Sequence, residues 1–221
     1  EKSVKEPELN GEVVNHLLRE YYSQALKENK VLTLGNPKVT IKKYDKNSDF
    51  EFEAIVASRP EIKLTNYKKD LTKKLEEKKE LVPNDIIEAI STNCEVEFSD
   101  LLVEEEVTRL LSRLLEQAES IGLGIEQYLT AQNKTPESLR KEYEETAIKS
   151  LRAEFGLSRA IEEEKIEVTE AEIEDAINAL PDAKLKERLQ NPTDKWYIKS
   201  ILLKNKLITK VTAEFKRDNK N

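Results

Sequence analysis

Near its amino end the chain carries a broad apolar stripe with helical spacing. In EVVNHLLREYYSQALKEN, Val13, Val14, Leu17, Leu18, Tyr21, Tyr22, Ala25 and Leu26 recur at steps of three and four, which predicts a helix that packs on something substantial. LGNP then reads as a turn. KVTIKKY alternates Val39, Ile41 and Lys43 against Thr40, Lys42 and Tyr44, DKNSD breaks the run, and FEFEAIVAS alternates again with Phe50, Phe52, Ala54 and Val56 on one side. This pattern predicts an antiparallel hairpin joined through KNSD. One helix and two strands do not close a core, so this piece is a fragment of a domain or leans on the rest of the chain.

From residue 68 the period becomes helical and stays so. KKDLTKKLEEKKEL sets Leu71, Leu75 and Leu81 on a charged surface, a narrow stripe that predicts a solvent-exposed connecting helix. Pro83 and Asn84 restart the pattern, and Ile86, Ile87 and Ile90 lead to Cys94. Ser99 or Asp100 is placed to cap the next helix, and Glu104 to Glu106 suit the positive end of its dipole. Val103, Val107, Leu110, Leu111, Leu114 and Ala118 form its apolar face, with Gly122 and Gly124 at its end. Thr135 is a candidate cap with Pro136 at the first helical position. Thr169 and Glu172 form a capping box, with Val168 and Ile173 placed as its hydrophobic staple. The last helix, DKWYIKSILLKNKLITKVTAEF, puts Tyr197, Ile201, Ile208, Val211 and Phe215 near one face, and the tail KRDNKN should fray.

The expected fold is mainly α with a small α+β N-terminal part over residues 1–66 and a multi-helix region over 67–221. Five or six helices are expected after residue 68. There is no repeat of fixed period and no sustained heptad, which disfavours a solenoid and a simple coiled coil.

Composition narrows the class without changing that outline. The 221 residues are 38% hydrophobic and 37% charged, with 5 Gly and 7 Pro, as in a helical chain with wide solvated faces. A net charge of −7 argues against direct DNA or RNA binding, which rests on cations neutralising phosphates. No apolar run approaches the roughly 20 residues that span a bilayer, and EKSVKEPELN does not read as a signal peptide. With a lone cysteine, a cytoplasmic location and no membrane partner are expected.

One Cys (Cys94) and one His (His16) fall short of a zinc site or an activated nucleophile. His16 reads as structural or exposed, and Cys94 as a small buried hydrophobe. Glu104, Glu105 and Glu106 point in different directions on a helix, so they read as first-turn charges and not as a metal site. KKLEEKKE and IEEEKIE read as solvated faces, and GLG lacks the strand and the Lys-Ser/Thr of a phosphate loop. No catalytic, metal or cofactor site is expected, so the chain should act through its surface. Two groups of apolar residues are not obviously consumed by a bundle: Ile121, Leu123, Ile125, Tyr128 and Leu129, and Leu180, Leu185, Leu189, Trp196 and Tyr197. Either they pack between helices or they form patches for apolar segments of other chains.

The succession of elements resembles a known family. ELNGEVVNHLLREYYSQALKENKVLTLGNPKVTIKKYDKNSDFEFEAIVASRPEIKL, with its strand exit through Pro60, Glu61 and Leu64, is similar to the second half of the N-terminal domain of trigger factor, the bacterial ribosome-associated chaperone. IIEAISTNCEVEFSDLLVEEEVTRLL, GLGIEQYL, SRAIEEEKIEVTEAEIEDAI and the last long helix resemble its C-terminal domain. Two departures stand out. The Gly-Phe-Arg-x-Gly-Lys loop with which the family docks on the ribosome has no match, and the chain passes from the Leu64-to-Tyr67 exit straight into helices where family members insert a peptidyl-prolyl isomerase.

The resemblance implies an ATP-independent holdase without cofactor or isomerase activity. Its helical region would be an elongated body with arm-like helix pairs that bind unfolded or nascent polypeptide through the ten apolar residues named above. Ribosome binding would belong to the full-length protein and be weak or absent in this chain. The open hairpin implies a mobile, swapped or dimer-forming N-terminal piece, with a homodimer among the expected states. The rival reading is a helical adaptor for one specific folded partner, and a SurA-like periplasmic chaperone is a third.

Overall fold

The computed structural model describes residues 6–43 and 49–218. The chain runs α1 (Glu6–Glu28), β1 (Thr33–Lys43), β2 (Glu51–Ser58), β3 (Lys63–Leu64), α2 (Tyr67–Lys78), α3 (Pro83–Thr92), β4 (Cys94–Glu95), α4 (Asp100–Ser120), α5 (Ile125–Gln132), α6 (Pro136–Glu163), α7 (Glu170–Asn178), α8 (Ala183–Arg188) and α9 (Pro192–Asp218). The mainly-α class with a small β part near the N-terminus is therefore observed. Among the described residues eight helices follow residue 66, more than the five or six expected, because the short α5 and α8 form separate elements.

Two compact units share the chain, one built from residues 1–60 and 97–147, the other from 61–96 and 148–221. In the first of them α4 packs on both strands of the N-terminal hairpin and on α5.

In the first unit β1 and β2 pair antiparallel as expected, with Val39 opposite Ala54 and Ile41 opposite Phe52. Residues 46–48 of the expected KNSD connection lie outside the described residues. LGNP is not a turn before the strand but an irregularity inside β1: the register jumps from Leu34 opposite Ala57 to Lys38 opposite Ile55. Gly35 sits at φ +69, a left-handed conformation that favours glycine, and Pro37 needs no ladder partner for an N–H it lacks. The Asn36 N–H donates to Glu105 Oε1 of α4 at 2.8 Å, so a charged side chain absorbs what a turn would have left to solvent.

The apolar stripe of α1 departs from expectation. None of its described side chains is buried, and Val13 and Tyr21 remain 44% and 48% exposed. Helical periodicity identifies an apolar face but does not supply its cover.

The ends of α4 to α6 follow local chemistry. Ser99 Oγ accepts the Leu102 N–H, and α4 stops where Gly122 takes φ +74 and the Leu123 N–H reaches back to the Ala118 carbonyl at 2.9 Å. Gly124 belongs to the next start, as the N-cap of α5. Ahead of Pro136, the Thr135 and Ser138 side chains each accept the other's backbone N–H, at 3.2 and 2.9 Å.

The second unit holds the main core, in which Tyr67, Leu71, Leu81, Ile86, Ala89, Ile90, Leu157, Ala160, Leu207, Val211 and Phe215 pack together. The expectation that α2 is a solvent-exposed connector is corrected, since Leu71 is fully buried and Tyr67 nearly so. The reason lies beside the helix. Leu64 pairs with Cys94 in the short β3–β4 ladder, and the Thr65 N–H donates to the Asn93 carbonyl at 2.9 Å, which draws the start of α2 onto the end of α3. Asp85, 2% exposed, locks the α2–α3 turn. It accepts the Val82 N–H at 3.0 Å and the Lys78 ammonium at 2.6 Å, which satisfies a buried carboxylate. Where α6 meets this corner it carries Gly156, and a Cβ there would stand 3.0 Å from Ile90 Cγ2 and 3.1 Å from Cys94 Cβ.

Candidate functional site

A smaller apolar cluster in the second unit positions the surface of interest. Val168, Ile173, Ile177 and Leu189 are buried in it, with Leu180, Leu185, Ile198, Leu202 and Leu203 packed against them. Val168 and Ile173 thus meet as a staple, and the capping box forms: the Glu172 N–H donates to Thr169 Oγ1 at 3.3 Å and the Thr169 N–H to Glu172 Oε2 at 2.9 Å.

This packing divides the second group of candidates. Leu189 is 7% exposed and Leu180 and Leu185 lean on the same cluster. All three pack on this cluster, Leu189 buried and Leu180 and Leu185 half-buried, because α7 and α8 are too short to cover their apolar side chains on anything but α9.

Trp196 and Tyr197 behave differently, at 70% and 59% exposed. The inward stripe of α9, read back from Phe215 through Val211 and Leu207, reaches Leu203 and then Ile198. Tyr197 is in phase with Phe215, about five turns on, yet at this end of α9 the covered side carries Ile198, Leu202 and Leu203 and nothing covers Trp196, Tyr197 or Ile201, so Tyr197 and Ile201 do not share the buried face as expected. Ile201, 37% exposed, extends the strip and was not singled out from the sequence; its spacing of four from Tyr197 was the available signal.

Ion pairs hold this end of α9 in place. Lys195 Nζ lies 3.0 Å from Glu170 and 3.7 Å from Glu174 of α7, and Lys204 Nζ lies 2.6 Å from Glu154 of α6. Lys206 bonds Glu172 and the Glu167 carbonyl. Farther along, Lys210 and Lys68 both pair with Glu164, at 2.7 and 2.6 Å. Burial alone pushes the Glu164 carboxyl up, but the two ammonium groups more than offset it and hold the group at about 2. Beside Trp196, between α6 and α9, lies a groove of about 230 Å³ lined by Glu154, Ser158, Ile161, Trp196, Lys199, Ser200, Leu203 and Lys204.

The first group of candidates stands in the other unit. Ile121, 77% exposed, projects at the C-cap of α4, while Leu123, Ile125, Tyr128 and Leu129 are half-buried around α5. Leu32 and Ile55, 80% and 50% exposed, were missed. Ile55 pairs with Lys38 on the polar face of the hairpin, where an apolar residue out of alternation was the clue.

Among the described residues no group of three or more His, Cys, Asp or Glu side chains could hold a metal ion, and no helix is long and apolar enough to cross a membrane. His16 is exposed, 3.6 Å from Glu20. Cys94 is buried, and that burial pushes its thiol up, away from the reactive thiolate. Glu104, Glu105 and Glu106 each have a separate partner: Arg140, the Asn36 N–H and Arg109.

A family model described as "Bacterial trigger factor protein (TF) C-terminus" matches residues 64–213, and one described as "Bacterial trigger factor protein (TF)" matches residues 1–110. The chain belongs to the bacterial trigger factor family. The trigger factor of Clostridioides difficile (strain 630) is 27% identical over 169 residues, covering 74% of this chain and 39% of that protein. That of Caldanaerobacter subterraneus is 30% identical over 155 residues, covering 66% and 35%, and that of Lactococcus lactis subsp. lactis 35% identical over 104 residues, covering 47% and 24%. This chain therefore spans less than two fifths of the length of these trigger factors. A solved structure of trigger factor domains from Thermotoga maritima is similar over 60% of this chain and 80% of that chain, at 18% identity and a TM-score of 0.49.

Proposed function

We propose that this trigger factor family chain is a molecular chaperone of the holdase kind, which binds unfolded or nascent polypeptide without nucleotide, cofactor or catalysis. The observation that carries the reading is the exposure of Trp196, Tyr197 and Ile201 on a helix whose opposite face is anchored in the core and by ion pairs. Large apolar side chains held rigidly in water are what a binder of apolar segments needs, since little conformational entropy is lost on capture. Exposed Ile121 in the other unit offers a second contact. The wide charged surface of a chain at net −7 would keep a loaded complex soluble.

Within this reading residues 67–221 hold clients and residues 1–66 are a docking piece, cytoplasmic in location and weak in ribosome binding. The test is suppression of aggregation of several unrelated unfolded proteins at near-stoichiometric amounts, without nucleotide. Protection of several clients supports the proposal. Protection of none overturns it in favour of an adaptor for one folded partner.

A further inference from the structure

The groove beside Trp196 is small and chemically specific. At about 230 Å³ it lies below the ~300–1,000 Å³ of sites that enclose drug-sized ligands, and so suits one large side chain. Trp196, Ile161 and Leu203 give it apolar walls. The Ser158 and Ser200 hydroxyls that line it have no hydrogen-bond partner among the described residues, and they can satisfy N–H and C=O groups of an extended chain. Of the charges that line it, Glu154 and Lys204 neutralise each other at 2.6 Å. Lys199 pairs with no acid among the described residues.

Lys199 is exposed at the groove, an unpaired cation on a chain whose net charge is −7.

We propose that the groove beside Trp196 takes one apolar side chain of an extended peptide segment whose flanking residues are acidic, and that Lys199 selects for that flank. This rests on the reading of the chain as a binder of unfolded polypeptide and names the class of segment this site prefers. Opposite charges steer and orient the segment, while a basic flank meets Lys199 at a cost.

Trp196 is the only tryptophan of the chain, so its fluorescence reports on the site directly. The full chain is titrated with three peptides that share a Leu-Phe centre in a Gly/Ser frame and carry two Asp, two Ser or two Lys beside it. The expected result is a Trp196 emission change with the Asp peptide binding about two- to fivefold tighter than the Ser peptide and the Lys peptide weakest. High salt should erase the spread, and Lys199→Glu, an exposed unpaired position, should reverse the order. Equal affinities for all three, or an order unmoved by Lys199→Glu, overturn the selectivity. If aggregation suppression is intact but no peptide alters Trp196, the groove proposal fails and the chaperone reading stands. Ordered peptide binding with no aggregation suppression does the reverse. An emission change that follows protein concentration alone, with dimers in sedimentation, assigns the groove to a second copy and overturns the proposal.

Discussion

The Glu105 carboxylate of α4 accepts the Asn36 backbone N–H at 2.8 Å, across 69 residues of chain, and lies where a side chain on Gly35 would project. One contact therefore ties the hairpin bulge to the helix that covers it. Gly35→Ala should lower stability by roughly 1–2 kcal/mol from its left-handed backbone, with more from displacing Glu105. Urea unfolding measures this. A neutral or stabilising effect would mean that the bulge has another conformation.

A second glycine is needed for space alone. Gly156→Ala gains helix propensity of ~1 kcal/mol, but its methyl would press on Ile90 and Cys94, 0% and 4% exposed and with no room to retreat. Overpacking of this kind costs about 1–3 kcal/mol, so the variant should unfold at lower denaturant. Gly11→Ala, in α1 with nothing within 4 Å, is the control and should stabilise by up to about 1 kcal/mol.

Glu164 gives a pH signature. Its carboxyl is held at about 2, against an ordinary value of 4.5, by Lys210 and Lys68 in spite of its burial. A depressed carboxylate contributes stability that is present above the unfolded value and lost as pH falls through the folded one. Glu164→Gln should therefore be less stable than the parent at pH 7, with the gap closing between about 4.5 and 2. A gap of constant size across that window would show that the loss is one of packing.

Leucine and tryptophan substitutions should separate core from surface. Leu189→Ala, in the cluster with Ile173 and Ile177, should cost about 2–5 kcal/mol of stability. Trp196→Ser, at 70% exposed, should shift stability by no more than about 0.5 kcal/mol while weakening aggregation suppression. Thermal unfolding read beside the aggregation assay checks both, and loss of both properties in Trp196→Ser would make the strip structural.

Buried Asp85 should matter more than its exposed neighbours. Asp85→Ala leaves the Val82 N–H and the Lys78 ammonium without their acceptor, so stability should fall clearly. Removing Glu88, which pairs with Lys74 in solvent, should change it by less than about 1 kcal/mol.

What the sequence determined is local. Ser99, Thr135–Pro136, the Thr169–Glu172 box and Gly122 set helix ends through atoms within a few residues of one another. The alternation of Phe52 and Ala54 against Ile41 and Val39 likewise carried the hairpin register. The order of these elements was enough to identify the family. Tertiary structure decided which apolar faces are covered. The stripe of α1 is broad yet nowhere fully buried among its described side chains, whereas Leu71 in the narrow stripe of α2 is, because the Leu64–Cys94 pairing brings that helix onto α3. The candidate surface divides by the same rule: Leu189, at the end of α8, is covered by the cluster that α7, α8 and α9 form together, while nothing covers Trp196. Burial is a property of pairs of elements, and a periodic pattern on one helix says which way it wants to face without saying what will be there.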